Sequence, residues 1–224
     1  MTPVRPTVVL IHGLLRSQKS LRSLDLRLQE AGYPTWSVSY PSRQLDLQAL
    51  ADWLHDRIVR ELPDRPLAAV THSLGGVLLR LLADRLPWQS AVLIAPPNSG
   101  SRVAKKFVDL ALFRAIYGPA GVQLATGPGE RLEVPPPPQP FGVIAGTQRF
   151  SLGNPTSWLT HPLDLFGEGA DHDGTVAVDE THHPDMADFV AIDANHTWIL
   201  QHPETARQVL EFLAHGRFAH APAR

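Results

Sequence analysis

Apolar residues fall along this chain in short, nearly unbroken runs, separated by longer stretches in which they recur every three or four positions. The runs are residues 4–11, 35–40, 67–70, 91–95, 141–145 and 189–192. A run of four to eight residues bounded by turn formers reads as a strand buried on both faces. Between the runs, residues 20–31 carry Leu21, Leu24, Leu28 and Ala31 at helical spacing, with Gly32 placed as a cap. Residues 45–62 repeat the pattern with Leu47, Leu50, Leu54 and Ile58 on one face, and Pro63 ends it. Residues 77–82 and 103–116 also read as helices. A last helix opens at Pro203, carries Val209, Leu210 and Leu213, and stops before Gly216.

Strands that are apolar throughout and alternate with helices predict a parallel sheet covered on both faces. Right-handed crossovers make it a doubly wound, three-layer α/β domain of about six mostly parallel strands. The pattern predicts a single domain over residues 1–224, without internal repeats. Alternation breaks once, across residues 98–140. There a Pro-Asn-Ser-Gly turn and one helix lead into an irregular stretch with four consecutive prolines, Pro135 to Pro138. This segment reads as a short cap-like insertion, and residues 217–224 as a frayed tail.

Composition narrows the function classes. The 224 residues fit one domain, since single cores extend to roughly 250–300 residues. A net charge of −2 leaves no basic footprint for nucleic acid. The absence of cysteine removes disulfides, thiolate catalysis and sulfur-ligated metals. The N-terminal apolar run is too short for a signal-peptide core or a membrane span, so the expectation is a cytoplasmic protein without stable membrane insertion.

In doubly wound sheets, sites form at the carboxyl ends of the strands. The first strand delivers His12-Gly13-Leu14, and the third runs into Thr71-His72-Ser73-Leu74-Gly75-Gly76. The later strands lead to Asp171, Asp173 and His196. A serine at a sharp strand-to-helix turn is lifted clear of the sheet. Gly75 and Gly76 let the following helix pack close. A serine hydroxyl needs a neighbouring base to attack at neutral pH. His196 follows the last strand by the short loop Asp193-Ala194-Asn195, and it is the expected base. His72 adjoins the serine but points elsewhere from a tight turn, so it reads as pocket wall. His12 reads as a shaper of the glycine loop. The acid lies between Asp173 and Asp171, with Asp179 and Asp193 less well placed.

The order Ser…Asp…His and six pieces of sequence carry a resemblance: VVLIHGLL, Tyr40-Pro41-Ser42, THSLGG, APPNSGS, DGTVAV and NHTWIL. Together they resemble the α/β-hydrolase superfamily, most closely small bacterial lipase-like serine esterases, over nearly the whole chain. One departure stands out: the family's G-x-S-x-G pattern has Thr71 in place of its first glycine. The resemblance implies a three-layer α/β-hydrolase fold with a minimal cap. It implies Ser73 as nucleophile and His196 as base. It favours Asp173 as acid, because Asp173-Gly174-Thr175-Val176 resembles the family's acid turn. Backbone N–H groups of Leu14 and Leu74 would form the oxyanion hole, with His12, Gly13 and His72 beside the substrate. No cofactor and no metal are implied.

The expected activity is hydrolysis of carboxylic esters with apolar, short-to-medium acyl or alcohol groups, so the expected partner is a small-molecule ester. An acyltransferase or thioesterase on the same triad, or a silent binding protein, are the alternatives. A metal site from Asp171, His172, Asp173, Glu180, His182, His183 and Asp185 is the weaker reading, because no HExxH motif occurs. Arg102, Lys105 and Lys106 read as a solvated helix face. Phe107, Leu110, Leu112, Phe113, Ile116 and Tyr117 read as one amphipathic helix over the pocket or as core packed on the sheet; with Trp158, Leu159, Leu163, Leu165 and Phe166 they predict an apolar pocket mouth.

Overall fold

Residues 5–125, 132–150, 165–167 and 169–220 are described by a computed structural model. Six parallel strands form one sheet in the order β2-β1-β3-β4-β5-β6. They are β1 (Thr7–Ile11), β2 (Thr35–Ser37), β3 (Leu67–His72), β4 (Trp88–Ile94), β5 (Phe141–Gly146) and β6 (Asp188–Ile192). Every residue of β1, β3 and β5 is buried, which is why these runs do not alternate with polar residues. The helices are α1 (Arg22–Glu30), α2 (Leu47–Glu61), α3 (Leu74–Leu81), α4 (Arg102–Phe107), α5 (Ala111–Gln123), α6 (Val178–Thr181) and α7 (Pro203–His215).

Side chains of a strand point to opposite faces in turn, and β1 shows the two outer layers directly. Val9 and Ile11 join a cluster with Leu50, Leu54 and Ile58 of α2 and Val77 and Leu78 of α3. Val8 and Leu10 join the opposite cluster, with Leu24 and Leu28 of α1 and Val209 and Phe212 of α7. The chain leaves β1 for β2 on one side and returns to β3 on the other. The sheet's switch point therefore lies between the ends of β1 and β3, where crossing connections leave a crevice.

Several boundaries differ from the sequence expectation. α3 begins at Leu74 rather than at residue 77, so Gly75 and Gly76 belong to its first turn. The single helix expected over 103–116 is two, parted where Leu110 turns extended (ψ 123°). α5 then runs on to Gln123, bent at Gly118, whose φ of 68° and ψ of −173° are not helical. A Cβ at Gly118 would lie 2.0 Å from the Arg43 carbonyl oxygen, so a backbone from elsewhere in the chain forces that bend. The tail is packed rather than frayed through residue 220. Phe218 is buried against Phe212, and its N–H donates to Asp188 Oδ2 at 2.7 Å. The rest of the tail, Val4, and Trp158, Leu159 and Leu163 lie outside the described residues. Among the described residues no helix is long and apolar enough to cross a membrane.

Candidate active site

Ser73 stands alone between the end of β3 and the first residue of α3, with φ 52° and ψ −121°. A non-glycine residue in that region costs about 1–3 kcal/mol and persists only where its surroundings over-determine it. Here the Ser73 N–H donates to Ile94 O at 2.9 Å and the Ser73 carbonyl accepts from Gly76 N at 2.9 Å. A Cβ on Gly75 would come 2.4 Å from Ile11 O and 2.9 Å from His12 O, so α3 starts in direct backbone contact with the end of β1. Thr71, at the family's first glycine, is fully buried, and its hydroxyl has no hydrogen-bond partner. A Cβ on Gly76 would lie 3.4 Å from Thr71 Oγ1 and 3.0 Å from Pro96 Cβ. The bare backbone of Gly76 leaves the space that Thr71 fills.

The loop after β1 is held by His12. Its Nε2 accepts from the Tyr40 N–H at 3.3 Å, and its ring stacks on Tyr40 at 4.0 Å. The proton therefore sits on Nδ1, which donates to Gly13 O at 2.8 Å. Burial lowers the His12 pKa and keeps the ring neutral. The Arg16 N–H donates to the same carbonyl at 3.3 Å. The Gly13 carbonyl and the Leu14 N–H belong to one planar trans peptide. Pinning the carbonyl towards His12 leaves the Leu14 N–H facing the opposite way. The Leu74 N–H, at the start of α3, is one of the donors that a helix N-terminus leaves free.

Asp173 and His196 come from different loops and meet. His196 Nδ1 lies 2.6 Å from Asp173 Oδ2, and the His196 N–H donates to Asp173 O at 3.0 Å. The other carboxylate oxygen accepts from Thr175 N at 2.9 Å and Val176 N at 2.7 Å. With Nδ1–H directed at the acid, His196 Nε2 keeps its lone pair. Gly146, at the end of β5, makes this meeting possible. A Cβ there would lie 2.5 Å from Ala194 O and 2.8 Å from Asp173 Cβ. Asp171 is instead paired with Arg149 at 3.3 Å, Asp179 with Arg102, and Asp193 is exposed. His72 donates from Nε2 to His196 O at 3.1 Å, while its buried Nδ1 has no partner. Burial above all, then the nearby His196 and Arg16 charges, pushes the His72 pKa well below the ordinary imidazole value.

Ser73, His196, His72, Gly13 and Leu14 line one pocket of about 310 Å³. Val103 and Ala104 of α4 and Phe113 and Tyr117 of α5 form its apolar wall, whereas Leu110, Leu112 and Ile116, expected at the mouth, are exposed and do not line it. Among the described residues the Ser73 hydroxyl makes no hydrogen bond to His196. The candidate metal ligands do not converge: no group of three or more among the described residues could hold an ion. Glu180 instead accepts from Ala177 N at 2.8 Å and Arg102 N at 2.7 Å. Lys105 and Lys106 are exposed on α4, but Arg102 is half-buried and pairs with Asp179.

No protein-family model matches the chain, and no curated protein sequence does. Solved structures do. Lipase BlEst2 of Bacillus licheniformis, in its mature form, is 19% identical, with 95% of this chain and 92% of that one covered at a TM-score of 0.74. The metagenomic carboxyl esterase MGS0156 is 20% identical, with 88% and 66% covered at 0.63. A Xanthomonas campestris protein assigned to the α/β hydrolase superfamily is 13% identical, with 94% and 99% covered at 0.53. This chain has the α/β-hydrolase fold. At these identities the likeness is one of architecture.

Within this α/β-hydrolase fold, two supporting residues escaped the sequence reading. Arg80 of α3 is buried and donates to three carbonyls: Pro135 at 2.6 Å, Asn98 at 2.6 Å and Val134 at 2.9 Å. Desolvation pulls its pKa down to about 10. It ties α3, the helix that leaves the Ser73 turn, or elbow, to the proline-rich segment, and its sequence sign was a lone arginine inside the apolar helix VLLRLL. Gly146 closes β5 without a turn signal of its own, so only the two loops crossing it reveal its use.

Proposed function

We propose that this chain is a serine hydrolase that cleaves carboxylic esters through an acyl-enzyme on Ser73. The observation that carries the reading is the 2.6 Å contact of Asp173 with His196 Nδ1, in a pocket shared with Ser73 on its positive-φ turn. Ser73 Oγ attacks the ester carbonyl while His196 Nε2 takes its proton, and Asp173 stabilises the resulting imidazolium. Tightening of the Ser73–His196 contact accompanies substrate binding, as is usual for nucleophile–base pairs that are loose when empty. The tetrahedral oxyanion is received by the N–H groups of Leu14 and Leu74. His196 then protonates the departing alkoxide. In the second half it deprotonates a water that attacks the acyl-enzyme, releasing the acid and restoring Ser73.

The pocket volume of about 310 Å³ and its apolar wall favour short-to-medium apolar acyl groups. The lipase and the carboxyl esterase among the similar structures support the ester-hydrolase reading. A panel of 4-nitrophenyl esters of rising acyl length, run beside fluorophosphonate labelling, tests it. Labelling at Ser73 and turnover that peaks at short-to-medium chains are expected. Ser73→Ala should lose about 10⁶ in kcat; near-normal turnover by that variant overturns the proposal.

A further inference from the structure

Arg16 is the one permanently charged residue among the described residues that line the pocket. It lies four residues beyond His12 in the glycine loop, placed by the left-handed Leu15 (φ 60°) and by its own N–H bond to Gly13 O. Its Nη2 donates to Thr197 Oγ1 at 2.9 Å, next in the chain to His196. Arg57, Arg85, Arg102, Arg114, Arg149 and Arg207 each have a carboxylate partner. Arg16 pairs with none among the described residues; Arg43 and Arg80 also lack one, but unlike them Arg16 lines the pocket. Arg16 is exposed at the pocket rim; the neighbours that crowd it lower its pKa without removing the charge. A guanidinium has five N–H donors, so four remain for a ligand once Thr197 is served.

Its position also says which part of an ester it would meet. Arg16 and His196 line the same pocket, and Arg16 is tied to Thr197, the residue after the His196 that would protonate the departing alkoxide, so its fork is on the alcohol side. The acyl part is left to the apolar wall of α4 and α5. We propose that Arg16 binds an anionic oxygen group, carboxylate or phosphate, carried on the alcohol part of the ester. A planar fork suits both groups. This rests on the ester-hydrolase reading above, and it makes Arg16 a specificity determinant whose product is an anionic alcohol.

Two substrate pairs with one acyl group test it: 4-butyryloxybenzoate against 4-butyryloxybenzamide, and 1-butyrylglycerol 3-phosphate against 1-butyrylglycerol. For each pair the anionic-to-neutral ratio of kcat/KM is measured in wild type, Arg16→Gln and Arg16→Lys. Intrinsic ester reactivity cancels when ratios are compared between proteins. The expected result is a fall of about tenfold or more in the ratio on Arg16→Gln, in line with a charge-assisted hydrogen bond. Arg16→Lys should keep part of it. The pair that responds identifies carboxylate or phosphate. If Arg16 were only a strut for Thr197, both members of a pair would slow alike; unchanged ratios in both pairs overturn the inference alone. Failure of wild type to hydrolyse even the neutral esters, with no fluorophosphonate label on Ser73, overturns the ester-hydrolase reading and this inference with it.

Discussion

Asp173 grips His196 twice, through Oδ2 to the ring at 2.6 Å and through its carbonyl to the backbone N–H at 3.0 Å. The two contacts have separable consequences, because an asparagine keeps the backbone bond and loses the charge. Asp173→Asn is expected to fold normally and to lose about 10⁴ in kcat, since the imidazole is then held in the wrong tautomer. Asp171→Asn, which among the described residues removes the charge of only the exposed Arg149 pair, should stay within about twofold of wild type, because a surface ion pair is worth little. Steady-state kinetics on one ester distinguish the two; the reverse ranking would move the acid to Asp171.

Gly13 sits where the glycine loop brushes the elbow. A Cβ there would meet His72 Nδ1 at 3.0 Å and Ser73 Cβ at 3.2 Å. Gly13→Val should displace the Leu14 N–H and cost about 10²–10³ in kcat, the usual toll for one lost oxyanion donor. Circular dichroism should show the sheet intact. Full activity in a folded Gly13→Val protein would remove Leu14 from the oxyanion hole.

Legibility followed sequence distance. Buried strands announced themselves because both faces are apolar, and Ser73 and His196 stood out because each lies just beyond a strand end. The break at Leu110 and the bend at Gly118 were hidden, since the Arg43 carbonyl that forbids a side chain at Gly118 lies far back in the chain. The tail looked polar and loose until Phe218 was seen against Phe212, with Asp188 receiving its N–H. The aspartates were separable only by motif, because what divides them is tertiary: Arg149 draws Asp171 outward, while His196 meets Asp173, whose own turn at Thr175 and Val176 holds it inward.

The orphaned hydroxyl of Thr71 predicts a gain from removing it. Valine keeps the branched shape that fills the space beside Gly76 and discards a buried, unpartnered polar group. Thr71→Val is expected to stabilise the protein by about 1 kcal/mol, or about 2–4 °C in Tm for a chain of this size. A drop in Tm on calorimetry would mean that the hydroxyl is satisfied in solution.

Glu180 gives the fold a pH dependence of definite sign. Burial raises its pKa to about 7, above the 4.5 of an ordinary glutamate, despite the N–H groups of Ala177 and Arg102 that favour its charged form. The native state therefore holds the proton more tightly than the unfolded chain. This contribution is complete below about pH 4.5 and is lost as pH rises through about 7. Its size is about 3 kcal/mol to order of magnitude. His12 and His72 act in the opposite sense: their lowered pKa values cost stability as pH falls below the ordinary imidazole value. Comparing denaturant unfolding of wild type and Glu180→Gln from pH 4.5 to 8 cancels the histidines. The Gln variant should gain relative to wild type as pH rises; parallel curves would show that Glu180 titrates normally.

The hydrogen bond from His72 to the carbonyl of His196 joins residues 124 positions apart. Contacts of that span form only after the intervening chain has found its place, and long parallel crossovers are slow to close. The elbow and glycine loop can assemble around β1 and β3, but His196, the proposed base, arrives with β6. Recovery of turnover during refolding is therefore a clock for the docking of the last strand, and it should lag the return of helical dichroism.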